Sequence, residues 1–340
     1  MTPDETFMKR ALDLAVLGSG HVSPNPLVGC VIVFENRIIG EGWHKKYGEA
    51  HAEVNAVNSI TDKSILSKAT VYVNLEPCSH FGKTPPCADM LVRNQVKRVV
   101  IANVDTFQKV NGQGIRKLRD AGIEVETGVL EREGRDLNKR FFTSVEKGRP
   151  FITLKWAESA DHFIALENYE SKWISNELSR QLVHKMRTEV DAVLVGTNTA
   201  RHDNPKLNVR DWSGRDPVRV VIDRNLNLDS GLNLFDKSQP TICYNLLRNE
   251  DQHNLTFVQL TETDFLNSLL ADLHRRKIQS LMIEGGTQTI QSFVNAGFWD
   301  EAMIFRSQSS FGKGIAAPIV QGDTVNETGI GSDLLKHVKN

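Results

Sequence analysis

The segments His51-Ala52-Glu53 and Pro77-Cys78 through Pro86-Cys87 place one imidazole and two thiols on either side of the apolar stretch TVYVNL. Zinc takes nitrogen and sulfur ligands tetrahedrally, and three protein ligands leave a fourth position for water, the pattern of a catalytic rather than a closed structural site. His51, Cys78 and Cys87 are therefore the candidate Zn2+ ligands. Glu53, two residues beyond the imidazole, can carry protons beside the metal without ligating it. That division of labour fits hydrolytic deamination, in which the metal lowers the pKa of its water toward ~7 and Glu53 passes the proton to the leaving ammonia. Cys87 follows Pro85 and Pro86 where a helix should begin, so the amide dipoles there should favour its thiolate. His80 precedes Phe81, Gly82 and Lys83 and is read as a group of the substrate pocket. Cys30, between Gly29 and Val31 in an apolar run, and Cys243 read as buried core residues.

Small residues in the second half point to another chemistry. Gly196 closes DAVLVG ahead of Thr197, and Glu284-Gly285-Gly286-Thr287 follows SLMI, placing glycines where strands end and a ligand can approach the backbone closely. Successive amides at the start of a helix over 288–295 could receive a cofactor phosphate.

Alternating helical and strand patterns must hold these groups. The first half reads as a helix over 5–17, the strand GCVIVF, a helix in HAEVNAVNSI, the strand TVYVNL, a helix over 87–94, the strand RVVIAN and a helix over 114–121. The stretch LNKRFFTSVEKGRP at 137–150 is polar and poorly patterned, and Gly148 with Pro150 stops any helix entering FITLKWA. The boundary is placed near Lys147. Beyond it come a helix over 176–188, DAVLVG, VRVVID, TICYN, a helix over 264–274, SLMIEGG, a helix over 288–295 and DEAMIFR. Two α/β domains are expected, 1–147 and 148–340, as the length of 340 residues also suggests.

Composition narrows the classes. Lys plus Arg number 41 against 42 Asp plus Glu, a formal charge of −1, so no global positive field exists to hold a nucleic acid. No apolar run approaches the ~20 residues that span a bilayer, and the acidic, amphipathic start is unlike a signal peptide. A cytoplasmic enzyme acting on a small molecule, with no nucleic-acid or membrane partner, is expected. A homo-oligomer is compatible with the sequence.

The general nucleobase-deaminase signature puts two residues between its cysteines, whereas eight, SHFGKTPP, stand between Cys78 and Cys87. With this PCxHxGxTPPC segment, the HAE segment and the upstream Pro24-Asn25-Pro26-Leu27-Val28-Gly29-Cys30, the chain resembles the bifunctional deaminase/reductase family of riboflavin biosynthesis. The resemblance continues through ESKWIS (170–175) and NTARHDNPKLNVR (198–210), which match the family's ESxWIT and TxxxDxPxLxxR motifs, and so covers nearly the whole chain. It implies a cytidine-deaminase-like α/β/α layered domain followed by a dihydrofolate-reductase-like α/β domain. It further implies zinc-dependent deamination of a phosphoribosylated diaminopyrimidinone, then NADPH-dependent reduction of the ribose. Asn25 would contact the pyrimidine, and His80, Lys83 and Thr84 the sugar-phosphate side. Ser171, Arg187, Leu207 and Arg210 would meet the second substrate, with Glu284 at the sugar. Arginine forks suit phosphate oxygens. Ala157, Trp173, Thr199 and Asp203 would flank the nicotinamide, Gly286 would underlie the phosphates, and Asp203 would donate the proton that accompanies hydride transfer.

Two departures stand out. Where the family carries SLDG and then a basic residue, this chain has Ser159-Ala160-Asp161-His162-Phe163; where it carries DPNPxVxGxG, this chain has DTFQKVNGQG from Asp105 to Gly114. The other readings are a nucleotide or RNA-base deaminase whose C-terminal half only binds a ligand, and a ligand-sensing protein. Glu53 argues against the last, because a sensor needs no proton carrier.

Overall fold

A helix opens the chain because Thr2, Pro3 and Glu5 start one. In α1 (Pro3–Val16) the Thr2 hydroxyl accepts from the Glu5 amide while the Glu5 carboxylate accepts from the Thr2 amide, so two otherwise orphaned donors are satisfied. The computed structural model describes residues 1–79, 85–106, 111–169 and 174–340. It divides into two units, Met1–Gly148 and Arg149–Asn340.

In the first unit α1 leads to β1 (Gly29–Phe34), β2 (Arg37–Trp43), α2 (Ala52–Asn58), β3 (Thr70–Leu75), α3 (Cys87–Arg93), β4 (Arg98–Asn103), α4 (Gln113–Asp120), β5 (Glu124–Thr127), α5 (Glu131–Leu137) and α6 (Lys139–Lys147). The sheet order is β2-β1-β3-β4-β5, with β1 antiparallel to both neighbours and β3, β4 and β5 mutually parallel. The apolar runs GCVIVF, TVYVNL and RVVIAN are buried on both faces, and alternation divides their side chains. Cys30, Ile32, Val71, Val73, Val99 and Ile101 pack with residues of α2, α3 and α4. Val31, Val33, Tyr72, Val100 and Ala102 pack with Met8, Ala11 and Leu14 of α1.

One glycine sets how closely α2 lies on the sheet. A Cβ on Gly42 would fall 2.3 Å from the Ala56 amide nitrogen and 2.6 Å from the Ala52 carbonyl oxygen, so this helix seats only on a bare Cα.

The region 137–150 differs from its reading as a poorly patterned connection. It forms α6, an amphipathic helix whose Phe141, Phe142 and Val145 pack with Leu75 and Val28 while its charged residues face outward. Gly148 ends this helix in a left-handed conformation, φ +63°.

In the second unit, β6 (Phe151–Glu158), β7 (Phe163–Ala165), α7 (Glu177–Glu189), β8 (Ala192–Gly196), α8 (Thr197–Asp203), β9 (Val218–Ile222), β10 (Thr241–Asn245), β11 (Glu250–Gln252) and β12 (Leu255–Gln259) come first. Then follow α9 (Phe265–Arg275), β13 (Ser280–Glu284), α10 (Thr287–Asn295), β14 (Glu301–Arg306), β15 (Ile315–Ala316), β16 (Asp323–Ile330) and β17 (Asp333–Lys339). Their main sheet runs β11-β12-β10-β9-β8-β13-β6-β14-β17-β16, parallel from β12 to β14 apart from its edges. One face carries Leu154, Leu194, Val220 and Ile283 against α9 and α10. The other carries Val193, Val195, Val221, Cys243 and Met282. Parallel order brings the carboxyl ends of β8, β13 and β6 side by side, where such sheets place ligands. Among the described residues, no helix is long and apolar enough to cross a membrane.

Candidate functional site

His51 is the N-cap of α2, Glu53 lies in its first turn, Cys78 follows β3, and Cys87 is the first residue of α3. His51 Nδ1 stands 3.5 Å from Cys78 Sγ and 3.4 Å from Cys87 Sγ, and the three ligand atoms lie within 4.8 Å of one another. Tetrahedral zinc with ~2.3 Å bonds to sulfur and ~2.05 Å to nitrogen separates such atoms by ~3.5 Å. The donor set therefore fits zinc in type and spacing. His51 spends no ring nitrogen on capping its helix.

Glu53 is 3% exposed beside the two thiols, and burial, then the charge of Cys78, pushes its carboxyl up to about 7. The expectation for Cys87 is corrected. The first amide of α3 donates to Cys78 Sγ at 3.3 Å, and the Cys87 thiol, this amide and His51 favour the thiolate of Cys78, whereas Cys87 is pushed up by its bond to Cys78 and by burial. A residue's own amide at a helix start points along the axis, toward the loop ahead of it.

Asn25 and His44 meet beside this centre, with Asn25 Nδ2 3.1 Å from His44 Nε2. His44 Nδ1 lies 3.1 Å from the Ala50 carbonyl oxygen, so Nδ1 donates and Nε2 accepts from Asn25. Burial also holds the His44 ring below the ordinary imidazole range, favouring this neutral form. The Asn25 carbonyl oxygen is then the end of the amide left to face a ligand. Asn138 grips the same loop by accepting from the Leu27 amide at 2.8 Å and donating to its carbonyl at 2.9 Å, and Asn74 donates to that carbonyl and accepts from Gly29. His44, Asn74 and Asn138 went unnoticed in the sequence, although an asparagine inside the apolar TVYVNL was a usable signal.

In the second unit the expected residues converge in part. Thr199 Oγ1 accepts from the Gly286 amide at 2.9 Å, joining two cofactor candidates from distant parts of the chain. Gly286 is the N-cap of α10, and among the described residues no side chain caps that helix, so its first-turn amides suit a phosphate. Asp203 ends α8 and is exposed, and Ala157 lies half-buried in β6 opposite Phe305.

Glu284 and Arg187 form a buried fork, Nε to Oε1 at 2.7 Å and Nη2 to Oε2 at 3.0 Å, while Arg187 Nη1 donates to the Asn208 carbonyl at 3.0 Å. Lys155 Nζ adds a contact to Glu284 at 3.3 Å. Burial alone would raise the Glu284 carboxyl, but Arg187 and Lys155 together hold it well below the carboxylate range. The Arg187 fork, expected on phosphate, is thus engaged with Glu284. Arg210 is exposed, with Asp211 at 3.6 Å. Leu207, at φ +50°, turns its side chain into the core, so its contact with a ligand would be through the main chain. Lys155 was missed, although a lone charge within FITLKWA marks it.

The altered SADHF segment keeps its turn. His162 takes φ +64° where glycine is the ordinary choice, its Nδ1 lies 3.0 Å from Glu158 Oε1, and Arg306 Nε donates to the same oxygen at 2.9 Å. His80, Lys83, Thr84, Ser171 and Trp173 lie outside the described residues.

Comparison with known proteins agrees with this geometry. Residues 1–103 match the cytidine and deoxycytidylate deaminase zinc-binding region, and residues 150–337 match the RibD C-terminal domain. The fold is thus cytidine-deaminase-like, then dihydrofolate-reductase-like. A riboflavin biosynthesis protein RibD of Aquifex aeolicus is 41% identical over 319 residues, covering 92% of this chain and 89% of that one. Its counterpart in Escherichia coli is 36% identical, covering 89% and 87%. A solved diaminohydroxyphosphoribosylaminopyrimidine deaminase/5-amino-6-(5-phosphoribosylamino)uracil reductase of Thermotoga maritima superposes with a TM-score of 0.90 at 38% identity, covering 99% of this chain and 98% of that one. Acinetobacter baumannii RibD gives 0.90 at 32%, with the same coverage. A second half that merely binds a ligand does not fit these matches. With a zinc-type triad beside a buried carboxylate in its first unit, and matches spanning both units, the chain belongs to the RibD family of riboflavin biosynthesis proteins.

Proposed function

We propose that residues 1–147 deaminate 2,5-diamino-6-(5-phosphoribosylamino)pyrimidin-4(3H)-one and that residues 148–340 reduce the ribose of the product, 5-amino-6-(5-phosphoribosylamino)uracil, to its ribityl form. The observation that carries this reading is the convergence of His51, Cys78 and Cys87 with Glu53 buried beside them.

His51 and the two cysteines hold zinc, which when bound supplies the Lewis acidity that makes hydroxide available near neutral pH. Glu53 takes the proton of the attacking water and delivers it to the departing amine, and its buried position keeps that proton from bulk solvent. Asn25, oriented by His44, offers its carbonyl oxygen to a ring N–H of the pyrimidine. His80, Lys83 and Thr84 hold the sugar-phosphate side.

In the second unit NADPH, when bound, would supply the hydride. Gly286 and the first amides of α10 receive its phosphates, while Ala157, Trp173, Thr199 and Asp203 border the nicotinamide, and Asp203 gives the proton. Glu284 meets the sugar, Ser171, Leu207 and Arg210 contact the substrate, and Arg187 anchors Glu284 as well as facing the phosphate side. A charge of −1 supports a small-molecule substrate rather than a polyanion, and the reading is of a cytoplasmic enzyme.

The test follows ammonia and NADPH separately after the zinc-loaded chain receives the diamino substrate. Ammonia should appear without NADPH, and NADPH oxidation should require the deaminated product. Unchanged NADPH absorbance with that product would overturn the reductase half.

A further inference from the structure

Glu76 stands two residues before Cys78, just past the end of β3, and is 4% exposed. Its carboxylate accepts from four main-chain N–H groups. Oε1 takes Gly114 at 2.9 Å and Ile115 at 3.2 Å, and Oε2 takes Gly112 at 3.0 Å and Asp105 at 3.2 Å. A carboxylate offers about four lone-pair sites, so its accepting capacity is filled.

These donors come from separate places. Asp105 follows β4, Gly112 is the left-handed N-cap of α4, and Gly114 and Ile115 lie in the first turn of that helix. No side chain of its own caps α4, so Glu76 serves as a cap from another element. The packing is close: a Cβ on Gly114 would fall 2.1 Å from the Pro77 carbonyl oxygen, so the start of α4 rests against the peptide that joins Pro77 to Cys78. Cys78 then accepts the Ala88 amide at its carbonyl and the Cys87 amide at its sulfur. One carboxylate therefore ties the chain entering Cys78 to α4 and grips Asp105 and Gly112, which bracket the segment where the family's prolines are missing.

We propose that Glu76 is a positioning residue of the metal centre, fixing the path of the chain from β3 into Cys78 so that the sulfur meets His51 at zinc-ligand spacing. The inference rests on the reading of His51, Cys78 and Cys87 as a zinc site. Glu76→Gln keeps the size but turns an NH2 group toward two N–H donors, replacing two of the four bonds with donor–donor contacts. Glu76→Asp keeps the charge on a shorter arm.

The experiment measures zinc affinity of the full chain by competition with a chromophoric chelator, alongside NADPH oxidation with the deaminated substrate. Glu76→Gln should weaken zinc binding about tenfold or more, the scale seen when supporting groups of a metal site are lost, with Glu76→Asp intermediate. Reductase turnover should be unchanged in both. Val100→Ala, on the α1 face of the same sheet, serves as a destabilised control that leaves the clasp intact and should bind zinc as the unaltered chain does. If Glu76→Gln does not fold, Glu76→Asp against Val100→Ala decides. Zinc affinity that stays at the unaltered level in the Glu76 variants, or that falls equally in Val100→Ala, would overturn the inference. An unaltered chain that takes no zinc would overturn the metal reading itself.

Discussion

Replacing Arg187 by Met would strand a buried charge. Arg187 gives Glu284 two bonds, at 2.7 and 3.0 Å, and the change leaves that carboxylate with Lys155 at 3.3 Å as its remaining cationic partner among the described residues. Removing one member of a buried pair costs ~3–5 kcal/mol, and because Lys155 stays, the lower end, ~3 kcal/mol, is expected. The sign with pH follows from the depressed Glu284 carboxyl. Its contribution to stability is present above its ordinary value of 4.5 and is lost as pH falls below that value. In the variant the opposing effect of burial gains weight, so the deficit is largest at pH 7–8 and narrows on acidification. Urea unfolding followed by tryptophan fluorescence suits this test, since Trp156, Trp173, Trp212 and Trp299 lie in the second unit and Trp43 alone in the first. A deficit below ~1 kcal/mol at pH 8, the level of an exposed pair, or one that widens toward pH 4, would refute the reasoning.

Glu53→Gln should retain zinc at its full stoichiometry while ammonia release falls ~10²–10⁴-fold, the usual weight of proton transfer, as read by metal analysis and ammonia assay. Gly42→Ala should cost ~1–3 kcal/mol by forcing α2 away from the sheet, and zinc affinity should fall with it because His51 and Glu53 ride on that helix. Asn138→Ala removes both bonds to Leu27 and should raise the deaminase KM more than it lowers kcat, as steady-state kinetics would show. Chelation of zinc should abolish ammonia release yet leave NADPH oxidation with the deaminated substrate unchanged.

The residues legible in advance were those whose chemistry is rare. Cysteines framed by prolines, with an imidazole and a carboxylate two residues apart, announce a metal site because few other arrangements use that set. Residues that support them were harder to see, since Asn74, Glu76, Asn138 and Lys155 gain meaning from partners far away in the chain. Glu76 shows the difficulty well: its four donors are main-chain groups that carry no side-chain signature. Arg187 shows the reverse, a recognisable phosphate-type residue whose fork the fold engages with Glu284.

By itself, the sequence determined the alternation of helices and strands and the presence of a zinc-type donor set in the first half, because apolar periodicity and ligand chemistry are local properties. Only the tertiary structure decided which thiol the α3 amide favours, that 139–147 is helix rather than connection, and which buried carboxylates clasp backbone or arginine. Those outcomes depend on close approach between distant segments, where burial removes water and each polar group must take the partner that packing presents.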